Sequence, residues 1–174
     1  MAHALEQGSN GEVAFASLRE PAWHGLGTVF TDEVSTAEML RLAHLHDWNV
    51  RLEPISAFAP SYNFITPSYM VVRDNPFDRS TDVMAVVGDR YNVVQNEELF
   101  SFADNILDGG RWETAGSIKQ GRVVFGSLAL DRETVLDPNG VADRINTYLL
   151  VHTSHDGSVA VQASVTPVRV VCQN

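Results

Sequence analysis

Cysteine is nearly absent from this chain. Its 174 residues contain one, Cys172, so an intrachain disulfide is excluded and a reducing compartment suits the sequence. No apolar run approaches the ~20 residues of a membrane span. The opening MAHALEQGSNGE has neither the basic start nor the apolar stretch of a signal peptide. A cytoplasmic protein with no membrane partner is expected. Repeats and low-complexity tracts are missing. The glycine pair Gly25 and Gly27 lacks the spacing and the Lys-Ser/Thr ending of a phosphate loop, so no cofactor is expected. Lysine is also scarce: Lys119 is the single lysine among 12 basic residues.

The charge that is present is unevenly spread. The chain carries a net charge of −10, and residues 1–109 hold 16 acidic against 6 basic side chains. Residues 110–174 hold 6 of each. The excess negative charge therefore lies in the first part, where it serves solubility or forms an acidic surface that excludes or mimics nucleic acid.

The strongest pattern is at the C-terminal end. NTYLLVHT, SHDGS and VAVQASVTPVRVVCQN place two long apolar runs around an Asp156-Gly157 turn. This predicts an antiparallel hairpin over residues 146–174 with its turn at Ser154 to Ser158. Upstream, residues 1–20 read as a flexible arm, and residues 21–174 as a single α+β domain that is expected to be truncated at its C-terminal end. Gly25 and Gly27 predict a tight bend that tucks Trp23 into the core.

Ser35 and Glu38 form a capping box at the start of a helix to Asp47, with Met39, Leu42 and Leu45 at helical spacing. A second helix is predicted from Asn96, as its cap, to about Leu107, burying Leu99, Phe100, Ala103, Ile106 and Leu107. Strands are predicted at Ser68 to Arg73, Val83 to Val87 and, as a hairpin with a Lys119-Gln120-Gly121 turn, Arg111 to Leu130. The expected fold is α+β: an antiparallel sheet of about six or more strands with two helices packed on one face.

Candidate chemistry is thin. His152, Ser154, His155 and Asp156 cluster near the hairpin tip. On a strand, residues three apart face opposite sides, so the reading is a turn or partner contact at His152, His155 and Asp156, with no metal and no catalytic residue. Cys172 continues an apolar strand and reads as a small buried hydrophobe. His44 and His46 point to different faces of a helix end, which excludes a joint metal site there. Arg111, Lys119, Arg122 and Arg169 could share one basic face for phosphate, with Trp112 as a stacking platform.

WHGLG at Trp23 to Gly27, YNVVQNEELF at Tyr91 to Phe100, ETAGS followed by GRVVFGSLAL, SHDGS, and PVRVVCQN at Pro167 to Asn174 occur in this order. Together they resemble a family of unknown function associated with phages, plasmids and laterally transferred islands of actinobacteria. The resemblance implies a mobile-element accessory protein in the host cytoplasm. It also implies that a further, more helical portion follows the CQN motif. It assigns no catalytic residues. Two readings compete, ahead of a third in which the His152 to Asp156 tip serves an enzyme such as a hydrolase. One is a nucleic-acid accessory protein similar to phage annealing proteins, which oligomerise and bind single-stranded DNA. The other is a non-enzymatic acidic interaction or assembly protein acting on a host or phage partner.

Overall fold

The computed structural model describes residues 4–20, 22, 25–63, 66–106, 110–136 and 143–169. In chain order the elements are β1 (Phe15–Leu18), β2 (Thr28–Phe30), α1 (Thr36–Leu42), β3 (Arg51–Pro54), β4 (Ser68–Asp74) and β5 (Thr81–Gly88). There follow α2 (Asn96–Ile106), β6 (Arg111–Ile118), β7 (Val123–Leu136), β8 (Asp143–Ser154) and β9 (Gln162–Arg169). The protein is mostly β, with two sheets among the described residues: six strands in the order β2-β1-β6-β7-β8-β9, and three in the order β3-β4-β5.

The larger sheet is mixed. β1 and β2 run parallel, joined through the bend at Gly25 and Gly27, whereas every other neighbouring pair is antiparallel. This corrects the expectation of a purely antiparallel sheet. Both glycines hold positive φ, and a Cβ on Gly27 would collide with the Phe15 carbonyl, so the bend depends on glycine. Trp23 and His24 lie outside the described residues, as do Leu107 and Cys172.

The segment read as a flexible arm contains β1, whose four residues are all buried. Ahead of it, Leu5 bridges Ile118 and Gln7 bridges Val13, so this segment is part of the sheet system. The apolar run Val13 to Leu18 explains the difference: it buries enough surface to offset the entropy of ordering.

The C-terminal hairpin forms over the described residues, with β8 and β9 antiparallel from Ile145–Arg169 to His152–Gln162; the connection runs on to Val161, past the predicted turn, and residues 170–174 of the prediction lie outside the described residues. α1 starts as predicted, with the Ser35 hydroxyl accepting the Glu38 N–H at 3.3 Å, but it ends at Leu42. His44, Asp47 and Asn49 hold positive φ, which a helix cannot continue through.

α1 packs against β1 and β6, and α2 against α1 and β8. One core cluster draws on both sheets, including Val71 and Met84 from the small sheet, Trp112, Leu128 and Val151 from the large one, and Leu99 and Phe100 from α2. Gly126 lets α2 sit close on the sheet: a Cβ there would meet Phe100 and Trp112 at 2.9 Å. Ile106, expected in this buried face, is instead 48% exposed.

Candidate functional site

The turn between β6 and β7 and the loop between β8 and β9 lie at the same end of the large sheet, because Val123 pairs with Ser154. His155 N–H donates to the Arg122 carbonyl at 2.8 Å, tying the two connections together. His155 then turns inward and is 1% exposed. Its Nε2 lies 2.9 Å from Asn96 Oδ1, and its ring sits 5.6 Å from that of Trp48. Asn96 Nδ2 donates to the Leu45 carbonyl at 2.8 Å, so Asn96 Oδ1 is left to accept from a protonated His155 Nε2. Burial, and then the nearby Arg73 charge, pull the His155 pKa from 6.5 to about 4 against the opposing influence of Asp156.

Arg73 continues this polar chain. Its guanidinium lies 4.0 Å from the Trp48 ring centroid, a cation–π contact. It is 1% exposed and is held from two sides. Asp82 Oδ2 accepts from its Nε and Nη2 at 3.1 and 2.9 Å, and both Glu6 carboxylate oxygens accept from Nη1 and Nη2. The Ser117 hydroxyl also donates to Glu6 at 2.6 Å. A fully buried cation is tolerable only with such pairing.

Above this chain opens a cleft of about 930 Å³ between the segment at Ala4 to Gln7, the β4–β5 end and the β6–β7 turn. Arg73 and Glu6 contribute to its lining, and Lys119 and Arg122 stand on its side as exposed cations. Neither of those two forms an ion pair with a described residue. Lys119, Gln120 and Gly121 all hold positive φ, and a Cβ on Gly121 would overlap the Arg73 guanidinium. The turn is therefore seated on Arg73, which fixes where Lys119 and Arg122 project.

The remaining sequence candidates separate. Arg111 is at the far end of β6, eight residues from Lys119 or about 25 Å along a strand, and it is paired with Glu113 at 2.9 Å and Glu33 at 3.5 Å. Hydrogen bonding to Glu113 comes first among the causes that raise its pKa. Arg169 pairs with Ile145, also away from the β6–β7 turn. The four cations do not form one face, which corrects the expectation.

Trp112 is 2% exposed, stacked on Phe100 with centroids 4.7 Å apart, and its indole N–H donates to the Thr36 hydroxyl at 3.0 Å. No face of its ring is left for a nucleobase, so the stacking role is corrected to a core role. His152 pairs with Phe125 and Gln162 on the sheet face opposite the buried Val151, apart from His155. Asp156 accepts from the Ser158 N–H at 2.9 Å. Burial pushes its carboxyl up, but hydrogen bonds from Ser158 and Ser154 and the Arg122 charge hold it below the usual carboxylate range. Among the described residues no three His, Cys, Asp or Glu side chains converge to hold a metal.

The sequence reading missed Glu6, Trp48, Arg73, Asp82 and Asn96 as a connected set. One signal was available: in SYMVVRD, Arg73 falls on the same strand face as Val71, and a charge in the inward phase of a strand demands buried partners.

The fold and this buried chain define a mostly β protein with two helices, a cleft between two sheets and two exposed cations beside it. The chain belongs to the family described as Domain of unknown function (DUF932), whose model matches residues 83–174, just over half of its length. No curated protein and no solved structure matches it. Among the described residues no helix is long and apolar enough to cross a membrane.

Proposed function

We propose that this protein is an accessory protein of phages, plasmids and related mobile elements that binds single-stranded nucleic acid, in the manner of annealing proteins. The contact is the end of the large sheet that carries Lys119 and Arg122. The observation that supports this reading is the β6–β7 turn itself: two exposed cations, neither in a close ion pair with a described acid, seated by Gly121 on the buried Arg73 beside an open cleft. Phosphate contacts of this kind position a strand without reading its sequence. Arg111, Arg169 and Trp112 are not part of the proposed contact.

Fluorescence anisotropy with a labelled single-stranded oligonucleotide at low and moderate salt tests this. Lys119→Ala and Arg122→Ala are each expected to reduce the salt slope by about 0.7, with a similar loss for different base sequences. Arg111→Ala, whose cation is already paired, leaves the slope unchanged. Absence of binding by the wild-type chain at low salt overturns the reading.

A second reading is favoured by the charge. With 16 acidic and 6 basic residues in positions 1–109, most of the surface repels phosphate, which suits a non-enzymatic acidic protein that docks on a host or phage partner. This reading takes over if the oligonucleotide does not bind.

A further inference from the structure

The Glu6 carboxylate occupies a place built for an anion. Arg73 Nη1 at 3.1 Å and the Ser117 hydroxyl at 2.6 Å both donate to its Oε2, and Arg73 Nη2 donates to its Oε1. A guanidinium fork with a hydroxyl beside it offers the same donors to two oxygens of a phosphate group. Glu6, Arg73 and Ser117 are all buried.

The two acids that hold Arg73 are attached differently. Asp82 belongs to β5, and the β4–β5 register sets it directly opposite Arg73. Glu6 comes from outside every named strand, on a segment joined to the sheet through the isolated bridges Leu5–Ile118 and Gln7–Val13. The Glu6 backbone is held by the Ser117 carbonyl and the Ala14 N–H, at 3.1 and 2.9 Å. Neither bond involves the carboxylate, so the side chain can swing into the cleft while its backbone stays.

The cleft favours another anion in its place. Its lining holds the cations Arg73, Lys119 and Arg122 against the acids Glu6 and Asp82. That is a local surplus of positive charge in a chain of net charge −10. A phosphate group carries about −1.5 to −2 charge at pH 7, more than the carboxylate it replaces, and Lys119 and Arg122 stand on the same cleft to balance it.

We infer that Arg73 and Ser117 form a phosphate-binding site at the floor of this cleft, and that Glu6 is its internal competitor. The ligand is a phosphate group, free in solution or at the end of a nucleic-acid strand. A terminal phosphate suits the depth of the site, because a strand passing through would have to carry both flanking sugars to a buried guanidinium. For the strand-borne source the inference rests on the nucleic-acid reading proposed above; for the free ion it does not.

Thermal melts of the full chain in sodium phosphate, and in sodium chloride of matched ionic strength, test it. Glu6→Gln removes the competing charge and keeps the side-chain length. About 20 mM phosphate is expected to raise the melting temperature of Glu6→Gln by roughly 3 °C or more over chloride, and to leave the wild type within ~1 °C. Glu12→Gln, which removes an exposed acid from the same segment, responds as the wild type does. If Glu6→Gln has no cooperative melt in chloride, phosphate restores one. An equal response in all three chains, or none in Glu6→Gln, overturns the inference. Fluorescence anisotropy with 5′-phosphorylated and 5′-hydroxyl oligonucleotides separates the two sources. A preference of Glu6→Gln for the phosphorylated strand of about 10-fold supports the strand end as ligand. A phosphate response with no oligonucleotide bound by either chain supports the site for the free ion and overturns the nucleic-acid reading alone. Oligonucleotide binding that Glu6→Gln leaves unchanged, with no phosphate response, overturns the inference and leaves that reading standing.

Discussion

His155 Nε2 and Asn96 Oδ1 meet at 2.9 Å in the interior, joining the β8–β9 loop to the first turn of α2. The Asn96 amide is fixed by the Leu45 carbonyl, so the bond requires a proton on His155 Nε2, which in the neutral ring selects the Nε2–H tautomer. With a folded pKa of about 4 against 6.5 for the free group, His155 binds a proton in the unfolded chain before it does in the native one. Its contribution to stability is therefore fully present above about pH 6.5 and is lost as pH falls towards 4. Urea unfolding at pH 7 and pH 5 should show a loss of about 2 kcal/mol from this group. His155→Asn, which lowers stability at both pH values, should remove that part of the pH dependence.

Gly121 and Gly11 both hold positive φ, but only Gly121 is crowded: an added Cβ at Gly11 meets nothing within 4 Å. Gly11→Ala should cost only the backbone term, about 1 kcal/mol. Gly121→Ala must also displace the Arg73 guanidinium from its two carboxylates, and should cost about 3 kcal/mol or more. Thermal melts of the two variants side by side check the difference.

The Arg73–Glu6 pair invites a double-mutant cycle. Arg73→Met leaves the buried Glu6 carboxylate with Ser117 as its remaining side-chain partner and should cost about 3–5 kcal/mol. Adding Glu6→Leu removes the stranded charge, so the double variant should be more stable than Arg73→Met alone. Denaturant midpoints that fall additively would show that the two residues are not energetically coupled.

Gly126→Ala tests the seating of α2. The new methyl group would press on Phe100 and Trp112 at about 3 Å, and relief requires α2 to shift outward. A loss of about 1–3 kcal/mol is expected. The near-ultraviolet circular dichroism of Trp112 should change while the far-ultraviolet signal stays.

The readable parts of this fold are those set by neighbours in sequence. The Asp156-Gly157 turn, the Ser35 cap and the alternation in VMAVV depend on local backbone chemistry and are visible in the letters. Asn96 shows where that stops. It sits where a helix cap belongs, but its side chain is spent on Leu45 and His155, while Glu98 accepts the Gln95 N–H at 2.8 Å. Trp112 failed as a stacking candidate for a similar reason. Its burial depends on Phe100 and Thr36, and nothing in RWETAGSI indicates that either lies above it. The buried chain that links Glu6, Arg73, Trp48, His155 and Asn96 draws on residues from position 6 to position 155, and of these the sequence reading singled out only His155 as a contact, in a turn or partner surface.

β1 pairs with β6 at Phe15 and Gly116, a separation of 101 positions. The family match begins at Val83, so it contains β6 to β9 but not the two strands that complete the sheet at the β1–β2 side. During synthesis the β6–β9 meander can form from consecutive hairpins as it emerges. The β1 segment, made first, has only the three-residue β2 beside it until residue 116 appears, and closing the loop to β6 is an entropic cost met late. Folding order thus runs against chain order: the earliest strand is the last to dock. Until it does, the buried residues of β1 and the β6 edge are both open to unintended pairing.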